Sequence, residues 1–247
     1  MESILTISTF TYLFSTVDAY LTKKRFKNPY YAIHALHNAL IVAATAGDVW
    51  NTFTDYYNLM SYKANWSAAY LCIALHLYHC IAYWRTFRTD DWLHHILMIG
   101  VGLPLGLWVN MTPLLGFSLF FTTGLPGGID YALLFGVRNG WIDRLKEKRI
   151  NDAVNVWIRA PGCTAMAALS TPSILRIAPI QSEWKTMAMV LPAILNYWNG
   201  QYFMRQVVEN RVLCDKEAVE LSKVWGGEDE SSTGRIRETN ENAAHEQ

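Results

Sequence analysis

Charge is scarce in this chain. Only 17% of its 247 residues are Asp, Glu, Lys or Arg, against about a quarter in an average soluble protein. The 21 basic and 21 acidic residues cancel, so the basic surplus that a nucleic-acid partner requires is missing, and no nucleic acid is expected. Cysteine is sparse too. Cys72, Cys80, Cys163 and Cys214 form no CxxC pair, which argues against a disulfide frame or a cysteine zinc site and leaves them as small packing residues. The first 21 residues lack a basic n-region and an A-x-A-like cleavage site, so they do not read as a signal peptide. No internal repeat is visible.

What the chain has is apolar surface: 51% of its residues are hydrophobic and 13% aromatic. A membrane-spanning helix needs about 20 mostly apolar residues. Stretches 3–21, 30–50, 65–87, 92–110, 113–137, 153–176 and 187–207 meet or approach that length, the first weakened by Asp18. The expected fold class is all-α, a polytopic transmembrane helical bundle of six or seven spans. Residues 1–21 would form a borderline N-terminal span, 22–210 the transmembrane domain and 211–247 a cytosolic tail. From about residue 222 the tail is polar, acidic and without aromatics after Trp225, a composition that predicts disorder.

Basic residues orient the spans. They gather as Lys23, Lys24, Arg25 and Lys27; Arg85 and Arg88; Arg138, Arg144, Lys146, Lys148 and Arg149; and Arg205, Arg211 and Lys216, whereas Lys63 and Lys185 stand alone in alternate loops. The positive groups stay cytosolic, which predicts a multi-pass integral membrane protein with its C-terminus in the cytosol. Segment 139–150 is expected to lie along that interface with Trp141 as an anchor.

Ionisable side chains inside spans are costly and mark functional sites. Six of the seven histidines fall there, as His34 and His37, His76 and His79, and His94 and His95. The first two pairs, spaced i, i+3, each share one helix face. Adjacent His94 and His95 point about 100° apart. These histidines, Asp130, Arg159 and Asn196 all lie roughly 5–15 Å from the charged residues at the near ends of their spans, Asp91 for His94 and His95 and basic residues for the others. A lone intramembrane histidine is commonly just an interhelical hydrogen bond. The whole set points instead to one polar chamber open to the cytosol, for ligand binding or catalysis. TTGLPGGID (122–130) reads either as close helix packing or as a broken helix that lines the chamber and presents Asp130. NVWIRAPG (155–162) repeats the pattern, with Arg159 beside Pro161.

YYAIHALHNALIV (30–42), YHCIAYWRTFRTDDWLHHILMI (78–99) and LNYWNGQYFMRQV (195–207) resemble the TLC-domain membrane proteins, the family of ceramide synthases and several lipid-regulating relatives. The paired histidine of DDWLHH and the closing LNYW carry the resemblance, which covers roughly residues 25–210. It implies a lipid-handling helical bundle of the endoplasmic reticulum or a related endomembrane, with membrane lipids as partners and acyl-CoA-dependent acyl transfer as the activity. His94 or His95 would be the base that deprotonates an amine or hydroxyl, and Asp130 would orient or stabilise it. His34, His37, His76, His79, Arg159 and Asn196 would line the substrate site, and residues 138–149 would meet the phosphates of CoA. No bound cofactor and no metal are expected, acyl-CoA entering as a co-substrate. No oligomeric state follows.

One window departs from ceramide synthases. Their paired histidine is followed further along by a His-Asp and another Asp, whereas FFTTGLPGGIDY (120–131) has no histidine and only Asp130; His76 stands where many relatives carry an aspartate. That weighs against ceramide synthesis itself. Two other functions therefore stand beside acyl transfer. A non-catalytic lipid-sensing or trafficking protein is favoured by the missing acids. A histidine-liganded metal hydroxylase of lipids is suggested by imidazoles that suit iron or zinc, although HxxxH and HxxHH spacings are absent.

Overall fold

The computed structural model describes residues 2–62, 65–109, 112–180 and 182–244, with side chains as far as Leu221 other than those of Glu2, Met60, Asp90, Asp91, His94, Thr112 and Ile177. As expected, the fold is all-α, with no strand among the described residues. Its helices are α1 (Glu2–Lys23), α2 (Pro29–Thr54), α3 (Ser67–Tyr83), α4 (Thr89–Leu97), α5 (Leu103–Val109), α6 (Thr112–Leu119), α7 (Leu125–Arg138), α8 (Arg144–Val154), α9 (Ala160–Ile177) and α10 (Glu183–Ala244). Among the described residues no helix is long and apolar enough to cross a membrane.

Three pairs of these helices are joined by single π turns, Met98–Gly102, Phe120–Gly124 and Asn155–Arg159. The chain is therefore helical without a break from Thr89 to Val109, from Thr112 to Arg138 and from Arg144 to Ile177. Each π turn ends two residues before a proline: Pro104, Pro126 and Pro161. A proline ring has no N–H to give and clashes with the carbonyl four residues back. A turn widened by one residue moves that carbonyl aside and lets the helix continue. The helix around TTGLPGG is thus widened, not broken. Its glycines serve close packing instead: a Cβ on Gly127 would lie 2.8 Å from Asn38 Nδ2, and one on Gly128 3.3 Å from Asn38 Cβ. α10 runs as helix from Glu183 to Ala244, and no proline follows Pro192 to stop it.

α2 is the central helix, packed against α1, α3, α6 and α7. On one side Phe14, Ile33, Ile41, Leu71, Ala74 and Tyr78 interlock α1, α2 and α3. On the other, Leu114, Phe117, Met166, Ile174 and Met189 join α6, α9 and α10.

The basic turns meet at one end of the bundle. Asn139 Oδ1 accepts from the Lys27 backbone N–H at 2.9 Å, and Asn139 Nδ2 donates back to the Lys27 carbonyl at 3.2 Å. Gly140 beside it has a φ of 76°, a turn conformation that glycine adopts without strain. Arg149 reaches Asp215 at 3.3 Å and Arg211 reaches Asp152 at 3.2 Å, tying α8 to α10. Tyr83 donates to Asp18, tying α3 to α1. Segment 139–150 turns at Gly140 and from Arg144 becomes α8; most of it is exposed or half-buried, Trp141 included, and only Glu147 is buried. Trp141 packs edge-on to Phe26 and Phe135. At the opposite end Arg176 stacks on Tyr56 and Tyr57, a basic residue left out of the loop count. Asn139→Ala should cost about 1 kcal/mol, as the loss of an exposed two-way clasp implies, read as a small drop in unfolding temperature of the solubilised protein.

Candidate functional site

The paired spacing of the α2 and α3 histidines turns their rings into a common space between α2, α3 and α4. His34 and His79 stack with ring centroids 4.6 Å apart. His95 lies 5.2 Å from His76 and 5.5 Å from His79. Aromatic rings close the cluster: Tyr30 against His34 and His79 at 4.1 and 5.0 Å, Tyr131 of α7 against His34 at 4.3 Å, and Phe87 against His95 at 4.5 Å. All four imidazoles are buried. Where an open chamber was expected, the rings touch one another.

Backbone contacts fix two of these rings. His34 Nδ1 meets the Tyr30 carbonyl at 2.9 Å, and His76 Nδ1 meets the Cys72 carbonyl at 2.7 Å. A carbonyl can only accept, so Nδ1 carries the proton in both, and in the neutral ring Nε2 keeps its lone pair. His79 Nε2 is buried and has no hydrogen-bond partner among the described residues. The side chain of His94 lies outside the described residues, so His95 represents the pair here. His37 stands apart: its Nδ1 meets Asn38 Oδ1 at 2.9 Å and its ring packs edge-on to Phe14.

Among the described side chains, Asp130 pairs away from the imidazoles. Its carboxylate accepts from Asn151 Nδ2 at 2.8 Å, and its charged neighbours are Arg159, Glu147 and Lys148. The reason is rotation on α7: successive side chains point about 100° apart, so Tyr131 takes the face toward His34 and Asp130 turns to α8. There it meets a second buried polar stripe. Glu147, Asn151, Asn155 and Arg159 are spaced four residues apart and all are buried. Asn155 Nδ2 donates to Asn151 Oδ1 at 2.7 Å, Glu147 pairs with Lys148 at 3.1 Å, and the Arg159 guanidinium lies over the Phe203 ring at 4.7 Å. Arg159 therefore neighbours Asp130 and not the imidazoles. Asn196 lies in neither cluster. It accepts from the Ser118 hydroxyl at 2.8 Å and donates to the Pro192 carbonyl at 2.8 Å, a tie between α10 and α6.

Several polar residues escaped the sequence reading. Tyr30 and Tyr131 flank the imidazoles; Asn38 accepts from Thr123 Oγ1 at 3.1 Å; Asp48 is buried in α2 opposite Gly116. The four-residue spacing of Glu147, Asn151, Asn155 and Arg159 was the available signal for the second stripe. Asp48 fell at the end of a predicted span, where a charge reads as the span's boundary.

Among the described residues no group of three or more histidine, cysteine, aspartate or glutamate side chains has a metal-holding arrangement. Comparison with protein-family models, with curated proteins and with solved structures finds no match to this chain, so its likeness to the TLC family rests on the motifs quoted above.

Proposed function

We propose that this chain is a multi-pass, TLC-like membrane protein that handles lipids and transfers an acyl group from CoA at the histidine cluster. One observation carries the reading: His34, His76, His79 and His95, from three helices, converge in mutual contact, and His95 belongs to the paired-histidine motif. Buried imidazoles gathered this way are costly unless they are used.

A membrane setting is supported by what lies outside the bundle. Ile81, Ile96, Leu97, Trp108, Trp157, Leu175, Met187 and Ile194 are large apolar side chains left exposed, surface of the kind that lipid would cover. The shortfall of apolar helices has two physical sources. His34, His37, Asn38 and Asp48 dilute the apolar character of α2, and π turns divide three otherwise continuous helical runs.

In the transfer, the lone pair of a neutral imidazole, His95 first, takes the proton from a lipid amine or hydroxyl. The freed nucleophile attacks the thioester carbonyl, the carbon–sulfur bond breaks, and the CoA thiolate leaves and takes up the proton. His76, held by the Cys72 carbonyl, keeps the neighbouring ring in place. Asp130 has no part in this scheme.

A second reading is a lipid-sensing or trafficking protein without turnover. It is favoured by the direct contacts of the rings with one another and by the turn of Asp130 toward Asn151. Purified protein supplied with labelled acyl-CoA and mixed lipid acceptors separates the two. Labelled lipid product is the expected result; retained lipid without product would select the second reading. Orientation is tested by a tag after Gln247, expected to be cut by protease from the cytosolic side only. Protection of that tag would reverse the assigned sides.

A further inference from the structure

We propose that the outer face of the α8–α9 run binds an anionic phospholipid, its headgroup held between Lys146 and Arg149 and an acyl chain laid along Val154, Trp157 and Ile158. The inference rests on the membrane reading above and adds a site away from the histidines.

A groove of about 710 Å³ follows this face and includes all five residues in its lining. Lys146, Ile150, Val154 and Trp157 recur at three- to four-residue intervals, so they form one stripe on the helix. At about 1.5 Å per residue the stripe is roughly 16 Å long from Lys146 to Trp157, comparable to a phospholipid's headgroup and upper chain. Its character changes along that length, from cationic at the end where the basic turns gather to wholly apolar beyond Ile150.

The cationic end is available to an anion. Lys146 is exposed and has no acidic partner among the described residues. Arg149 meets Asp215 at 3.3 Å, with 62% of the Arg149 side chain still exposed, and an exposed pair of this kind is weak and exchangeable. Asp143, also in the lining, is committed elsewhere: its Oδ1 accepts from the backbone N–H groups of Leu145 and Lys146 at 2.8 and 3.0 Å, capping α8. At the other end Trp157 is 78% exposed, a large ring with no protein cover of the kind that settles at a membrane interface. Two cations at the bundle's basic end, continuous with an apolar groove that ends on the exposed Trp157, complement a lipid with a negative headgroup. A zwitterionic lipid would fill the stripe and leave the cations unmatched.

The test uses the full chain reconstituted in vesicles of equal parts phosphatidylcholine and phosphatidylserine, gently extracted, with co-purifying lipid measured by mass spectrometry. The wild type should retain phosphatidylserine in preference to phosphatidylcholine. Lys146→Gln with Arg149→Gln should lower that preference by roughly ten- to thirtyfold, as two near-surface basic contacts imply. Arg138→Gln with Arg144→Gln removes the same charge from exposed residues outside the groove lining and should leave the preference in place. No preference in the wild type, or equal loss in both double variants, would overturn the site, the latter in favour of diffuse surface charge. Displacement of phosphatidylserine by acyl-CoA at equal concentration would overturn the choice of occupant. Alkaline carbonate extraction keeps the two readings distinguishable. A chain released from vesicles sinks the membrane reading and this inference together. A chain that stays embedded without preference sinks the inference alone.

Discussion

Gly162→Ala should lower the unfolding temperature of the solubilised protein by several degrees, and Gly162→Val by more. A Cβ at Gly162 would overlap the Phe121 ring, and it would lie 2.8 Å from Phe121 Cβ. The ring could swing away; its Cβ is fixed to the backbone and cannot. Phe121 belongs to the π turn Phe120–Gly124 and packs against Phe117 at 4.8 Å and Phe120 at 4.9 Å. Any escape therefore shifts α9 away from the α6–α7 run or disturbs the second core. Such overpacking costs about 1–3 kcal/mol, which corresponds to roughly 3–10 °C for a chain of this size. Gly47→Ala is the matched comparison. It sits in α2 with nothing within 4 Å of its added Cβ, so the better helix propensity of alanine should leave stability unchanged or raise it by up to about 1 kcal/mol. Equal melting shifts for the two variants would show that the α9 contact is not the constraint described.

The same contrast shows what the sequence made legible. Helical class followed from the apolar runs, and the meeting of basic turns at one end followed from their alternation. Within a helix, spacing was a sound guide: His76 and His79 do share a face, and the glycines of TTGLPGG do permit close approach. What spacing could not supply was rotation of one helix relative to another. Asp130 and Tyr131 are neighbours in sequence, and both were available to face the histidines. Only the packing of α7 between α2 and α8 decides that Tyr131 does so while Asp130 joins Asn151. Prolines 104, 126 and 161 were visible as interruptions, but an interruption can be a break, a kink or a widened turn. The π turns preserve helical continuity, and they carry the stripe of Glu147, Asn151 and Asn155 through to Arg159, so residues read as loop and span proved to be one buried row.

Replacing His95 by alanine should reduce acyl transfer by roughly 10²–10⁴-fold, the range for loss of a positioned general base. Loss of activity alone would be a weak result, because four buried rings in contact also hold α2, α3 and α4 together. The decisive comparison is His79→Leu. Leucine nearly fills the volume between His34 and His95 and keeps apolar contact with Tyr30 and Tyr78, but it has no lone pair and no proton to donate. If the cluster is only packing, His79→Leu should keep the fold and the function. If the imidazoles work as a set, His79→Leu should keep the melting temperature close to the wild type while activity falls at least tenfold, the lower part of what a proton-transfer partner contributes. His37→Gln marks the boundary of the set. His37 contacts Asn38 and Phe14 instead of the stacked rings, and glutamine can keep a hydrogen bond to Asn38, so its activity should stay within a few-fold of the wild type, consistent with a bond worth about 1 kcal/mol. Full activity in both His79→Leu and His95→Ala would remove the cluster from catalysis and leave lipid binding as the function to be explained.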